Sequence, residues 1–595
     1  MQTRKKLSAL RSLMKTHGLD AYYVPSVDPH QSEYVPANWQ RRGWLSGFDG
    51  SAGDLLITAR KAGLWTDSRY FLQAEAQLAD SGIELMRMGV PGVPTLLEFA
   101  GRTLKKGQVL GLDPRVMSLT AAEAFADALS ECGVKVKYVA RNLVDALWTD
   151  QPARCDAPVK IHGPRYSGET TGSKLKRLRA AMKDAGAKVH VIGALDVIAW
   201  LFNIRSRDIE FTPVVISYAV VTERGAVLYV DENKVAKSVR KSLKSNVKIK
   251  AYEDVTADLR ALSKKKLPVL IDPVTTNKWV CDLLKGCTLV RETSPVVAMK
   301  SIKNETQMNG LRDCHVRDGA AMVKFLKWLE TAVPKGGVRE ISASDQLTAF
   351  RAEQPGYQDN SFGPISGYAA HGAIVHYSAT PETEIPLKPR GVYLVDSGGQ
   401  YLDGTTDITR TVALGPVTKR AKTMFTLVLK GNINITRTPI PQGMSGQRLE
   451  ILARQALMLH GENYGHGTGH GVGHYLGVHE GPMSVSPRDT ANVPLQPGQF
   501  ISIEPGHYEA GKFGIRIENM CLIVPDEKHT TDEMEWYMWE PVTLCPIDLK
   551  MIDKSLLDRA EKDWLNTYHK KVYKKVAPLL DGEHRKWLKK ATRSI

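Results

Sequence analysis

Residues 392–412 read VYLVDSGGQYLDGTTDITRTV, and the run Val392-Tyr393-Leu394-Val395 is a strand that ends in Asp396. The Gly398-Gly399 pair reads as a turn and Gly404 as a further irregular point. A second strand then follows through Asp407-Ile408-Thr409-Arg410-Thr411-Val412, which predicts Asp396 and Asp407 facing each other across a hairpin. Residues 500–518 repeat the plan, with Phe500-Ile501-Ser502-Ile503-Glu504, a turn at Pro505-Gly506, and Phe513-Gly514-Ile515-Arg516-Ile517-Glu518. Glu504 and Glu518 fall on neighbouring strands, and the two-residue strand period puts Arg516 on the face of Glu518.

Four carboxylates converging on buried strands repel one another strongly at low dielectric. Divalent cations are the natural compensation. Between these hairpins lies Gly465-His466-Gly467-Thr468-Gly469-His470-Gly471-Val472-Gly473-His474. Glycine costs about 1 kcal/mol per helical position, so this stretch is expected to be loop or strand whose backbone approaches a ligand closely. Four of the chain's 16 histidines (466, 470, 474 and 479) fall within the 14 residues 466–479, far above chance, although His474 taken alone reads as structural. Carboxylates with one imidazole suit Mn²⁺, Co²⁺ or Zn²⁺, and four carboxylates carry enough charge for two ions. Two such ions can hold a hydroxide between them and polarise a carbonyl. Asp403 is set aside, because Asp-Gly is ordinary turn chemistry.

Earlier in the chain, residues 6–24 (KLSALRSLMKTHGLDAYYV) align without gaps on residues 174–192 (KLKRLRAAMKDAGAKVHVI). Leu7, Leu10 and Met14 lie on one helical face, and Gly18 and Gly186 act as C-terminal stops before a strand. Later in each copy a strand ends in aspartate, Leu64-Trp65-Thr66-Asp67 and Leu228-Tyr229-Val230-Asp231. The expectation is two related α/β domains, 1–155 and 156–298, then a catalytic unit at 299–549 and a helical tail at 550–595. Helical spacing over 302–332 opens the third unit, and Leu556, Leu557, Trp564 and Leu565 form the apolar stripe of the tail.

The 595 residues carry 80 Lys and Arg against 64 Asp and Glu, a net charge of +16. The excess is local: residues 233–300 are +9 and 550–595 are +7, whereas 301–549 are −5. Solvated helix faces account for it, so no nucleic acid or membrane partner is expected. No uncharged apolar run of about 18 residues exists, which argues against a transmembrane helix. The start, Met1-Gln2-Thr3-Arg4-Lys5-Lys6, leads into an amphipathic pattern rather than an apolar signal core. Seven scattered cysteines form no Cys-x-x-Cys pair, so neither a zinc knuckle nor a disulfide framework is indicated and a cytoplasmic location is expected.

Residues 392–412, 465–482 and 500–523 resemble the metal-site motifs of aminopeptidase P, the Xaa-Pro aminopeptidase of the pita-bread metallopeptidases. Trp-Leu-Ser-Gly-Phe-Asp-Gly-Ser-Ala-Gly (44–53) and Ile198-Ala-Trp-Leu-Phe-Asn-Ile-Arg205 resemble the two amino-terminal domains of its long, three-domain form. Glu540-Pro-Val-Thr-Leu-Cys-Pro-Ile547 and Asp563-Trp-Leu-Asn-Thr-Tyr-His569 resemble its carboxy-terminal end. The fold class implied is α/β and α+β: two related α/β amino-terminal domains followed by a pita-bread, creatinase/aminopeptidase-like catalytic domain.

The resemblance implies two Mn²⁺ ions, with Co²⁺ or Zn²⁺ as alternatives. Asp396 would chelate one ion, Asp407 and Glu518 would bridge both, and His470 and Glu504 would complete the coordination of the second. Glu504 is also the candidate general base or acid for a metal-bridging hydroxide. His376, His466 and His479 match the family's active-site histidines, and Arg516 would pair with a ligand carboxylate through its planar fork. Phe362 and Tyr508 are candidates for the proline pocket. His507 and Gly399 depart from what many members carry, and His507 is expected to alter the pocket for substrate side chains. The implied reaction is removal of a residue that precedes proline, in a homodimer acting on peptides with proline in second place. A prolidase would share the site but cut only dipeptides. A metal-free amidinohydrolase or a non-catalytic binding protein of this fold would lack ligands that are all present here.

Overall fold

The computed structural model describes residues 2–595. It divides into two compact units, the first of residues up to 162 together with 169–297, the second of 163–168 and 298–595.

The first unit holds two six-stranded sheets built on one plan. In one, Ala21–Val24 lies antiparallel to Asp54–Thr58, which lies antiparallel to Ala62–Thr66, and Glu84–Arg87 adds in parallel. On its other side Val109–Leu112 and Lys135–Tyr138 both run parallel. In the other sheet Val189–Ile192 takes the place of Ala21–Val24. It is flanked by Ser217–Thr222, Ala226–Val230 and Lys248–Ala251 on one side and by Pro268–Ile271 and Thr288–Arg291 on the other. Strand order and polarity agree at every step, so the sequence echo marks two copies of one topology.

The echoing helices, Thr3–Thr16 and Thr171–Asp184, bury Leu7, Leu10 and Met14 and their counterparts Leu175, Leu178 and Met182. Gly18 and Gly186 follow with φ of +64° and +70°, the left-handed backbone that ends a helix and that a side chain would strain. Asp67 and Asp231 directly follow the strands Ala62–Thr66 and Ala226–Val230, as expected.

The second unit opens with the helix Glu305–Ala332, started by a reciprocal cap between Asn304 and Gln307. Its apolar face buries Leu311, Met322, Phe325, Leu326 and Leu329. Two of its antiparallel sheets carry the site. One orders Ile365–Tyr368, Val392–Ser397 and Ile408–Ala413. The other orders Ile440–Pro441, Trp536–Pro541, Asn519–Pro525, Phe500–Ile503, Gly469–Gly471 and Glu480–Val485. A separate ribbon pairs Gly506–Glu509 with Phe513–Arg516. The helix Lys419–Thr436 and the tail helix Arg559–Val576 share one core, where Val428, Ile433, Leu565 and Val572 are buried together.

Three local expectations change. Gly398-Gly399 is not a turn: Gly399–Tyr401 is a short strand, and the chain turns at Leu402-Asp403. A Cβ on Gly398 would lie 2.0 Å from the Thr406 carbonyl, so glycine is there for a close backbone approach. Asp396 pairs with Thr409 rather than with Asp407, which lies just before the paired strand. Pro505-Gly506 is not a turn either, but the junction where Phe500–Ile503 leaves one sheet and Gly506–Glu509 enters the ribbon. Proline brings no N–H to a ladder and so ends the first strand there.

The seven cysteines are all free thiols. Among the described residues no helix is long and apolar enough to cross a membrane.

Candidate metal centre

Strand ends converge on one site. Asp396 is near the end of Val392–Ser397, and Asp407 directly precedes Ile408–Ala413. Glu504 follows Ile503 and Glu518 precedes Asn519, the last pair in register between those two strands. Each carboxylate thus extends from a sheet whose hydrogen bonds fix its backbone. His470 is the middle residue of Gly469–Gly471, a strand and not a helix, as its glycines require. A Cβ on Gly469 would lie 1.8 Å from the Ser502 carbonyl, so only glycine lets this strand reach its neighbour.

One oxygen each of Asp407 and Glu518 and one ring nitrogen of His470 all lie within 4.8 Å of one another. His470 Nε2 is 3.5 Å from both Asp407 Oδ2 and Glu504 Oε1. Its Nδ1 is 2.9 Å from the Gly471 carbonyl, which can only accept, so Nδ1 carries a proton and Nε2 faces the carboxylates. Asp396 Oδ1 is buried without a hydrogen-bond partner, while Oδ2 accepts from Arg516 Nη2 at 2.6 Å. Burial and the neighbouring charges of Asp396 and Glu504 push the carboxyls of Asp407 and Glu518 well above the usual range.

These residues fit divalent cations. A buried carboxylate oxygen with no donor, an imidazole nitrogen facing two carboxylates beyond charge-assisted hydrogen-bond range, and four acids beside a single guanidinium all call for added positive charge. The oxygen-rich set with one nitrogen matches ions of the Mn²⁺, Co²⁺ and Zn²⁺ class.

Arg516 is the hub of the surrounding polar groups. Besides Asp396 it donates to Thr409 Oγ1 (3.1 Å), Tyr508 Oη (2.7 Å) and the Val375 carbonyl (3.3 Å). The strand carrying it ends at Arg516, so its link to the site runs through Asp396 and not through a shared strand face with Glu518. Tyr508 Oη is also 2.8 Å from His466 Nε2, while His466 Nδ1 faces the Gly467 carbonyl at 2.7 Å. The His479 ring meets the His470 ring edge-on with centroids 4.3 Å apart. His376 follows Val375, whose carbonyl Arg516 holds. Next to His479, buried Glu480 takes Lys300 Nζ at 2.9 Å and Lys303 Nζ as well, which fixes the start of that strand.

His507 is buried, with Nε2 3.3 Å from Glu509 Oε1 and Nδ1 3.6 Å from Glu462 Oε2, the latter beyond hydrogen-bond range. Burial holds its ring below the usual histidine range. Thr409, which donates to Glu518 Oε2 at 2.8 Å, escaped sequence reasoning. Its only signal was its place two residues beyond Asp407 on the same strand face.

Family models match in chain order. Creatinase/prolidase N-terminal domains match residues 6–146 and 150–307, metallopeptidase family M24 matches 309–525, and the C-terminal region of peptidase M24 matches 535–595. A probable Xaa-Pro aminopeptidase P of Sordaria macrospora is 42% identical, over 98% of this chain and 97% of its own length. Aminopeptidase P2 of Arabidopsis thaliana is 40% identical, over 99% and 88%. The crystal structure of X-prolyl aminopeptidase from Caenorhabditis elegans, a cytosolic enzyme with a di-nuclear active site, superposes with a TM-score of 0.96 at 37% identity, covering all of both chains. With two creatinase-type domains ahead of a pita-bread M24 domain, and with relatives at this identity over their full length, the chain belongs to the aminopeptidase P family of metallopeptidases.

Proposed function

We propose that the chain removes the first residue of peptides whose second residue is proline, using two divalent cations, Mn²⁺ foremost, held by Asp396, Asp407, His470, Glu504 and Glu518. Aminopeptidase activity follows from family membership. The ligand assignment is carried by one observation, His470 Nε2 set 3.5 Å from two carboxylates with its other nitrogen committed to a carbonyl. In this reading Asp396 would serve one ion, Asp407 and Glu518 would be shared by both, and His470 and Glu504 would complete the second. The di-nuclear site and cytosolic location of the C. elegans enzyme support two ions and a cytoplasmic location here. A homodimer and the domain division 1–155, 156–298, 299–549 and 550–595 belong to the same proposal.

When bound, the cations supply Lewis acidity, neutralising the acids and lowering the pKa of water. The chain's own residues do the rest. Glu504 would take a proton from water and return it, a role supported by Oε1 facing His470 and Oε2 lying 4.0 Å from Arg516 Nε. That return matters because the proline nitrogen has no N–H and must leave protonated. His479, packed on His470, and His376, on the loop held by Arg516, are the candidates to meet the substrate carbonyl oxygen. Tyr508 and Arg516 hold His466 by a hydrogen-bonded chain.

Hydrolysis of Arg-Pro-Pro after Mn²⁺ loading tests the reading. Release of arginine with Pro-Pro left intact supports it. Cleavage of Arg-Pro with no action on Arg-Pro-Pro would make the chain a prolidase, and no turnover with two ions bound per chain would end the enzyme reading.

A further inference from the structure

Asn432 lies in the C-terminal third of the helix Lys419–Thr436 and is wholly buried. Its Nδ2 donates to two backbone carbonyls, Ile503 O at 2.8 Å and Ile517 O at 3.2 Å. The residues that follow are Glu504 and Glu518. One amide nitrogen therefore ties together the two chain segments immediately ahead of two of the carboxylates. Among side chains of this length, only asparagine brings two N–H bonds on one atom.

The helix that presents the amide cannot easily shift. Gly431 packs so closely on the helix Ile451–Met458 that a Cβ there would lie 2.2 Å from the Ala453 carbonyl. Val428, Leu429 and Ile433 are fully buried around it. Arg410 Nη1 donates to the Glu518 carbonyl at 2.6 Å. The backbone amides of Glu504 and Glu518 are bonded to the Thr468 and Thr409 carbonyls. The two glutamates are thus held by their own amides and by the strand pair that ends at Ile503 and Asn519, and Asn432 adds a tie between the carbonyls immediately ahead of them. A buried amide is costly to desolvate, and Asn432 Oδ1 has no partner, so an apolar residue would fill this position more cheaply if filling were its only task.

We propose that Asn432 is a positioning residue for the metal centre: by joining the Ile503 and Ile517 carbonyls it holds Glu504 and Glu518 at their separation just beyond the last ladder pair. This rests on the reading of those two glutamates as metal ligands. Groups that orient ligands from outside typically change metal affinity or activity by about 10- to 100-fold when removed.

The test is calorimetric titration of metal-free protein with Mn²⁺ alone, for wild type, Asn432→Leu, Asn432→Ser and Val428→Ala. Asn432→Leu is expected to raise the Mn²⁺ dissociation constant by about 10- to 100-fold, and Asn432→Ser, which is easier to accommodate and keeps one O–H donor, by less. Val428→Ala removes core volume from the same helix, so it should lower the melting temperature and leave the dissociation constant unchanged. At saturating Mn²⁺ the Asn432 variants should lose kcat more than they gain KM. A wild-type dissociation constant in either folded Asn432 variant overturns the proposal, and so does an equal weakening in Val428→Ala. Wild-type protein that takes up no Mn²⁺ overturns the ligand reading instead, and this proposal with it.

Discussion

Arg516 Nη2 lies 2.6 Å from Asp396 Oδ2, and both side chains are buried. The same guanidinium also donates to Tyr508, Thr409 and the Val375 carbonyl, so one planar group orders an acid, a phenol, a hydroxyl and the His376 loop. A lysine has the charge without the fork. Arg516→Lys is expected to lower kcat by about 10- to 100-fold with KM less affected, as for loss of a ligand's orienting partner. Arg516→Met should also destabilise the metal-free protein by about 3–5 kcal/mol, the cost of stranding a buried acid. Steady-state kinetics and urea unfolding check the two, and a fully active Arg516→Lys enzyme contradicts the orienting role.

Glu504→Gln keeps the shape of the side chain and removes its basicity. General acid–base groups contribute about 10²- to 10⁴-fold, so kcat should fall by that factor. KM for Arg-Pro-Pro should move little. Single-turnover kinetics at saturating Mn²⁺ measures it, and unchanged turnover would remove Glu504 from the proton transfer.

Removal of metal should invert the pH dependence of stability. In the metal-free protein Asp407 and Glu518 hold protons that the unfolded chain has lost above about pH 4. A raised folded pKa means that stability falls as pH rises above the unfolded value. Melting temperature of the chelated protein should therefore drop from pH 5 to pH 8, whereas with Mn²⁺ bound it should not, and Mn²⁺ binding should release protons. A chelated protein that gains stability across that range refutes the acid cluster as its cause.

His569 reports on the tail. Burial, then the Arg410 charge, hold its ring down to about 3, and Nε2 accepts from the Ile547 amide at 3.1 Å. Its folded pKa lies below the unfolded value of about 6.5, so its contribution is complete above that value and is lost as pH falls toward 3. Stability of wild type should decline over this window more steeply than that of His569→Gln, whose amide oxygen can still accept. Parallel curves would show that the ring's titration does not matter.

Much of this was legible in the sequence. The four acids were visible because each stands at the end of a strand-like run, and the repeat because Leu7, Leu10 and Met14 recur at helical spacing in residues 175, 178 and 182. The glycines around His470 excluded a helix, and the strand confirms it. What escaped has a common cause, namely contacts set by tertiary placement. Pro505-Gly506 has turn composition, yet two sheets claim its two sides. Asn432 is one polar residue in a helix, and nothing local says that Ile503 and Ile517 wait above it. His507 suggested a pocket residue, but its ring is buried against Glu509, with Glu462, 45 positions away, 3.6 Å from its other nitrogen.

The tail helix constrains the order in which the molecule can be finished. Tyr568 Oη takes a hydrogen bond from Arg410 Nη2 at 2.8 Å, and the same guanidinium holds the Glu518 carbonyl. Synthesis runs from the amino terminus, so Arg410 lacks this partner until position 568 has left the ribosome. The last support of the acid cluster thus arrives after all of the acids, and a nascent chain of this peptidase cannot finish its cleft while most of its own sequence is being made.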